Sequence, residues 1–333
     1  MKAITVHRFG GPEVLGLEQR TDPVPGPGEV LIRVGAVAVN FVDSVVIAGR
    51  YQFLPALPFT PGKGPAGTVV ALGTGVSGLA VGDRVLAMAE IGGYAELALA
   101  PAEQCYRLPD GMSFTDAAAM SLAFDTAWFA LHERGRLAVG ETVLVLGATG
   151  AVGFAAMQLA KAAGARVLAG VSSMDKAGLV REGGADAVID HGVAGLRDAL
   201  RDQVHAATEG RGADVVIDML GGDIFDAAIR AVAWRGRVVV VGFAAGRIPT
   251  VKVNYLMVKN IEVSGLQISD YRKRSPALVR HCFEEIFALY QAGRIRAPAA
   301  RCFPLAEAGP AMEALLGREV RDRILLVPAA RDA

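Results

Sequence analysis

"GATGAVG", residues 147–153, places glycines at offsets 0, 3 and 6 between a branched apolar run and an Ala-rich helical pattern. In a strand–turn–helix unit each glycine has its own task. Gly147 makes the turn out of the strand, Gly150 lets the backbone approach a pyrophosphate, and Gly153 lets the helix lie close to the sheet. The amides of Ala151, Val152 and Gly153 open that helix, where free donors and the positive end of the helix dipole suit phosphate oxygens. The competing reading is a purely structural turn. No G-K-[ST] follows, which argues against a nucleotide triphosphatase.

Outward from this loop, strands and helices alternate. "TVLVLG" (142–147), "ARVLAGV" (165–171), "DAVID" (186–190), "ADVVIDML" (213–220), "RVVVVGF" (237–243) and "NIEVSGL" (260–266) read as strands. Helical patterns such as "AVGFAAMQLAKAAG" and "LRDALRDQVHAATEG" connect most of them. Continuous Val/Ile/Leu strands between such helices predict a parallel sheet covered on both faces. The fold class is therefore α/β, with a doubly wound Rossmann coenzyme domain over about 125–268.

Before it, residues 1–124 read as short strands broken by Gly and Pro. These include "MKAITVHRF" (1–9), "EVLIRVGAVAV" (29–39), "GTVVALG" (67–73) and "DRVLAMA" (83–89). They predict a partly closed β domain. Ser113 and Asp116 resemble a helix-capping box. After the coenzyme domain, residues 269–333 hold two helical patterns and a final strand, "DRILLV" (322–327), expected to return to the first domain.

The end of the second strand discriminates between the two nicotinamide coenzymes. An NAD-preferring site usually carries Asp or Glu there. This chain has "VLAGVSSMDK" (167–176), so Ser172, Ser173 and Lys176 favour a 2'-phosphate and hence NADPH. Asp175, the nearest acid, is expected in a helix's first turn.

Composition excludes other classes. Lys+Arg and Asp+Glu cancel at 34 each, which removes the electrostatic case for nucleic acid. No apolar run approaches the roughly 18 residues that a membrane span requires, and the N-terminus reads as a strand. A soluble, cytoplasmic protein without membrane insertion is expected. Cys105, Cys282 and Cys302 are far apart, which argues against a disulfide framework or thiolate zinc site. The basic stretch "YRKRSP" (271–276) reads as a solvated turn or a coenzyme-phosphate rim.

The motifs together resemble the zinc-independent quinone oxidoreductase family of the medium-chain dehydrogenase/reductase superfamily. The resemblance runs through "NFVDSVVIAGRY" (40–51), "GDRV" (82–85), "GGYAE" (92–96), "GETVLVLGATGAVGFAAMQLAKAAGARV" (140–167), "GADVVIDMLGG" (212–222), "GRVVVVGFAAG" (236–246) and "NYLMVKNIEVSG" (254–265). It implies a GroES-like first domain, a cleft beside the coenzyme domain, and a homodimer paired through the "NIEVSG" edge. It also implies a quinone or activated-alkene acceptor and hydride transfer without zinc. Where zinc-dependent relatives carry G-H-E, this chain has "PGKGPAG" (61–67), with Lys63 and Gly64 in place of His and Glu.

By the same resemblance Tyr51 would donate a hydrogen bond to the acceptor oxygen, and Asn40 would position that oxygen or the nicotinamide ribose. Asn40 could equally cap a helix; Asp43 would hold the loop. Thr126, Gly242 and Phe243 match positions near the nicotinamide. Asn254 and Lys259 match an N...K element, and Asp218 would bind a ribose or fix a strand-end loop. Many relatives carry Arg where this chain has Val46 and Glu where it has Gly64. Reduction of α,β-unsaturated ketones, aldehydes or enoyl thioesters remains an alternative activity, as does a noncatalytic NADPH-binding role.

Overall fold

The computed structural model describes residues 1–317 and 322–329. The chain opens with the antiparallel pair β1 (Lys2–Thr5) and β2 (Gly16–Gln19). Next come β3 (Glu29–Ala38), helix α1 (Phe41–Ile47), β4 (Ala66–Leu72), β5 (Arg84–Ala87), β6 (Leu97–Pro101) and β7 (Cys105–Arg107). Helix α2 (Phe114–Met120) starts where Ser113 Oγ accepts the Asp116 amide at 2.9 Å, the cap expected from the sequence.

The middle of the chain is an α/β alternation. It runs α3 (Ala123–Trp128), β8 (Thr142–Leu146), α4 (Ala151–Ala162), β9 (Arg166–Val171), α5 (Ala177–Glu182), β10 (Ala187–Asp190), α6 (Leu196–Ala207) and β11 (Ala213–Asp218). Then follow α7 (Gly222–Ala228), β12 (Val232–Val240), α8 (Val253–Lys259), β13 (Glu262–Gly265), α9 (Ile268–Arg274) and α10 (Pro276–Gln291). The chain ends with β14 (Ala300–Pro304), α11 (Ala308–Leu316) and β15 (Arg323–Val327).

Strands β8–β13 form one parallel sheet in the order β10-β9-β8-β11-β12-β13. The order reverses direction at β8, which makes the carboxyl end of that strand the switch point where such sheets bind ligands. All five residues of β8 are buried, the continuous apolar run that a doubly covered strand needs. On α4 the buried face carries Gly153, Ala155, Ala156 and Ala160 beside Met157 and Leu159, so small residues let the helix lie close to the sheet. The core of this unit gathers Leu144, Leu146, Leu168, Val216, Phe225 and Val238.

The other large sheet has the order β14-β15-β3-β4-β5-β7, with β6 also pairing β3. Strand β15 pairs β3 antiparallel through Leu325↔Ala38 and Leu326↔Val37, so the C-terminal strand does return to the first β domain. β2, β6, β7 and β14 were not among the strands expected from the sequence. They are three to five residues long and carry no sustained alternation.

The chain divides into one unit of 1–122 with 297–333 and another of 123–296. The expected third segment, 269–333, is therefore split. Residues 269–296 stay with the parallel sheet, and 318–321 and 330–333 lie outside the described residues. The physical reason is on α9 and α10. Arg272 Nη2 donates to Asp125 Oδ2 at 2.6 Å with both side chains at most 1% exposed, and Trp128 Nε1 donates to Glu285 Oε2 at 2.6 Å. The expected solvated turn "YRKRSP" is corrected with it, because 271–274 lie on α9 and Arg272 is buried.

Replacing one member of a buried ion pair strands the other charge and costs about 3–5 kcal/mol. Arg272→Met should lower the urea-unfolding stability by that order, and Asp125→Leu on the same background should restore much of it. An Arg272→Met protein as stable as the parent would show that the pair does not hold α9 to α3.

Candidate functional site

The coenzyme-type residues gather at the carboxyl ends of adjacent parallel strands. Gly147 leaves β8 at φ +74°, and a Cβ there would come within 3.1 Å of Leu220 Cδ2. A Cβ on Gly153 would lie 2.3 Å from the Gly147 carbonyl oxygen and 2.7 Å from Ala148 Cα, a distance no side chain tolerates. Gly150 differs from both. Its φ is −79°, open to any residue, and a Cβ there would touch only the Gly147 oxygen at an ordinary 3.4 Å. Two glycines are thus demanded by the protein's own packing, while the third keeps the space above the helix start open.

The first bond of α4 runs from the Phe154 amide to the Gly150 oxygen at 2.8 Å. The amides of Ala151, Val152 and Gly153 precede it and point out of the helix start, as the first turn of any helix requires. A diphosphate suits that cradle in shape and charge.

At the end of β9, Ser172 and Ser173 are exposed and Lys176 Nζ donates to Ser172 Oγ at 2.8 Å. The structure therefore brings the expected hydroxyl and ammonium together. His191 lies at the same corner. Its amide donates to the Val171 oxygen at 2.9 Å, while burial, more than the nearby Lys176 charge, holds its imidazole below the usual range. Nothing in the local sequence signals this, since the meeting depends on β10 pairing with β9.

Gly242 and Phe243 follow β12, with the Gly242 amide donating to the Asp218 oxygen at 3.3 Å. Asp218 itself is buried and accepts from the Leu220 and Gly221 amides at 2.8 and 3.0 Å, so it fixes the strand-end loop. Burial raises its carboxyl pKa, against the pull of those amides. Lys259 donates to the Arg230 oxygen at 2.8 Å and thereby closes the short turn Ile229–Ala231. Thr126 is buried on α3, its amide held by Asp125 Oδ1 at 2.8 Å.

In the first unit, Asn40 caps α1 and both ends of its amide are engaged. Nδ2 donates to the Ala38 oxygen at 3.1 Å and to Asp43 Oδ2 at 3.2 Å, and Oδ1 accepts from the Arg323 guanidinium. Asp43 also accepts the Asn40 amide and the Tyr94 hydroxyl, each at 3.0 Å. Burial raises the Asp43 carboxyl, and the same burial pulls Arg323 down to about 10. Asn40 thus stands at the N-cap position of α1, with its side chain held by Ala38, Asp43 and Arg323.

Tyr51 is half-buried and packs against the apolar core that holds Val39, Val46 and Tyr94, with its ring edge-on to Phe53 at 6.4 Å. Lys63 Nζ stands 5.7 Å from the centre of the Tyr51 ring and pairs with Glu90. The structure explains both family departures. Val46 is 4% exposed inside the apolar core, where a guanidinium would be stranded. Gly64 has φ +66°, and a Cβ would press on Ser121 Oγ at 3.0 Å. A larger residue there would take a left-handed backbone that side chains disfavour and would have to push Ser121 aside.

These residues do not fit a zinc ion. Lys63 carries an ammonium engaged by Glu90 where a zinc ligand would have to be. Among the described residues no group of three or more His, Cys, Asp or Glu could hold a metal. No helix of the described residues is long and apolar enough to cross a membrane.

Comparison with known proteins defines the class first. Residues 26–110 match the alcohol dehydrogenase GroES-like domain, and residues 151–284 match the family described as zinc-binding dehydrogenase. This is the two-part architecture of the medium-chain dehydrogenase/reductases. Within that superfamily the chain belongs to the zinc-independent quinone oxidoreductase family.

A quinone oxidoreductase-like protein 2 homolog of Nematostella vectensis is 34% identical over 98% of this chain and 88% of its own length. A quinone oxidoreductase of Pseudomonas aeruginosa is 35% identical over 98% of this chain and 99% of its own. The crystal structure of an Escherichia coli quinone oxidoreductase complexed with NADPH superposes with a TM-score of 0.90 and 30% identity. It covers 98% of this chain and 100% of that one.

The two kinds of glycine separate by experiment. Gly153→Ala should destabilise the fold measurably, because backbone atoms would have to shift. Gly150→Ala should unfold like the parent yet weaken dinucleotide binding by about tenfold or more, as one lost charge-assisted hydrogen bond would. Equal binding by Gly150→Ala and the parent would remove Gly150 from the site.

Proposed function

We propose that the chain is an NADPH-dependent quinone oxidoreductase. The observation that carries this reading is Gly150, a glycine at the first turn of α4 that no contact within the protein requires. Ala151, Val152 and Gly153 would bind the diphosphate through their amides, and Ser172, Ser173 and Lys176 would hold the 2'-phosphate. Thr126, Gly242 and Phe243 would bound the nicotinamide. NADPH, when bound, supplies a hydride from C4 of its ring. Tyr51 donates a hydrogen bond to the acceptor oxygen and, with water, returns the proton that completes reduction.

A second acceptor class is favoured by one specific observation. Reduction of an α,β-unsaturated carbonyl builds negative charge on its oxygen, and Tyr51 has the Lys63 ammonium over its ring. Enones, enals and enoyl thioesters therefore belong beside quinones in the test.

The homodimer is proposed on the same footing. Strand β13 is the edge of the parallel sheet, and on the preceding helix α8 Val253, Met257 and Val258 are 75, 74 and 71% exposed. Pairing with a second copy would cover an edge and an apolar face that are costly to leave in water.

An acceptor panel with NADPH and NADH, followed by nicotinamide absorbance, tests the function. Turnover of a quinone or an enone with NADPH supports the assignment. Coenzyme binding without turnover of any acceptor would favour a noncatalytic NADPH-binding protein. Lys176→Ala should cost about tenfold in NADPH affinity with little change for NADH, and equal losses would break the link to the 2'-phosphate. By light scattering the parent should have twice the chain mass, and Met257→Glu with Val258→Glu should halve it.

A further inference from the structure

Lys63 carries a buried ammonium that pairs with Glu90 and also bears on the buried Asp43 carboxylate, whose pKa its charge lowers against the effect of burial. It is 5% exposed, whereas its ion-pair partner Glu90 keeps a third of its side chain in solvent. Burying an ammonium is costly, and an ion pair offsets that cost only in part. The pair is therefore not an economical way to hold two loops together. Nor do these loops need it, because four backbone bonds already join them. The Gly64 amide donates to the Ala89 oxygen (3.2 Å), Gly92 to Thr60 (2.8 Å), Gly93 to Gly62 (3.0 Å) and Tyr94 to Pro61 (2.9 Å).

The ammonium also reaches an aromatic face. Its Nζ is 5.7 Å from the centre of the Tyr51 ring, within the range of a cation–π attraction that gains strength when the cation is desolvated. Glu90 fixes the ammonium on one side, and Phe53 meets the Tyr51 ring edge-on. The ring is held between them on a segment, Tyr51–Phe53, that forms a bend rather than a helix or strand. A tyrosine on such a segment has no backbone ladder to set its direction, so side-chain contacts must do so.

We propose that Lys63, clamped by Glu90, is a positioning residue that aims the Tyr51 hydroxyl at the acceptor oxygen. The inference rests on the reading of Tyr51 given under Proposed function and adds the group that directs it. Lys63 acts through Tyr51 and does not itself touch the acceptor. The lysine's charge also fits an acceptor that develops negative charge on oxygen, since a fixed cation behind the phenol favours that charge as it forms. The substrate class so implied is a carbonyl compound conjugated to a double bond, quinones included.

The test is a mutant cycle on the intact enzyme with NADPH and the acceptor turned over fastest in the panel. Tyr51→Phe is expected to lower kcat by about tenfold or more. Lys63→Met should lower kcat by between about tenfold and about a hundredfold, with KM changed far less, the range that misaimed catalytic groups produce. On the Tyr51→Phe background Lys63→Met should add little, because the hydroxyl it would aim is gone. Lys63→Arg should recover much of the rate, since a guanidinium also stacks on an aromatic face. NADPH affinity, read by fluorescence, should stay at the parent value throughout.

Glu90→Gln leaves Lys63 in place but loosens its clamp, and should lower kcat in the same direction. That variant and Lys63→Arg decide the matter if Lys63→Met does not fold. An impaired Tyr51→Phe beside a fully active Lys63→Met, or losses that multiply in the double variant, overturns the positioning role. A fully active Tyr51→Phe overturns the reading beneath it instead, and the two failures are distinguishable.

Discussion

A helix can offer its first amides to a ligand at a sheet switch point only if its start lies against the strand that feeds it. Here that closeness depends on Gly153 facing the Gly147 carbonyl oxygen, where even one methyl carbon would sit at 2.3 Å. Everything else at the phosphate end follows from this contact. The Ala-rich face of α4 keeps the rest of the helix equally near β8, and the parallel pairing of β8 with β9 brings Ser172 and Lys176 to the same edge. The packing requirement and the binding geometry are set by the same few atoms.

The first unit is organised by a different constraint, the satisfaction of buried polar groups. Asp43 is buried and Arg323 partly so, and the carboxylate could not remain there without partners. Asn40 stands between them, donating to Asp43 and accepting from Arg323, while Tyr94 supplies a further donor to the carboxylate. Arg323 opens β15 and also donates to the Ala119 oxygen at 3.2 Å. The return of the C-terminal strand is thereby tied to the start of α1 by hydrogen bonds as well as by pairing with β3. A network of this kind specifies one register for the strand, since a slip of one residue would take the guanidinium away from Asn40.

Those two constraints were not equally legible in the sequence. Gly147 and Gly153 announce themselves through spacing, because the strand–turn–helix rhythm places both glycines before any coordinates exist. The six strands of the parallel sheet were legible for the same reason: each is a continuous branched run between helical patterns. The β domain was legible only in its longer strands. β6 and β7 owe their existence to pairing with β3 and β5, and three to five residues carry too little periodicity to show it. The tie from Arg323 to Asn40 spans 283 positions of sequence and has no local signal. The placement of 269–296 failed on the same ground, since the partner that holds Arg272 is Asp125, 147 residues away.

The departures from the family pattern take on a coherent meaning once the local geometry is known. Taken as letters, Val46, Lys63 and Gly64 look like losses from an active site. As structure, Val46 fills an apolar core and Gly64 occupies a left-handed backbone position pressed against Ser121. A carboxylate-bearing residue at 64 would carry the strain of that conformation and crowd Ser121. Lys63 then supplies a charge that neither neighbour can, and its ammonium stands 5.7 Å from the centre of the Tyr51 ring. The positive charge missing at position 46 is accompanied by one at 63, balanced by Glu90. The Lys63 charge thus bears on two groups of the unit at once, the Tyr51 ring and the buried Asp43 carboxylate, while Glu90 balances it from the solvent side.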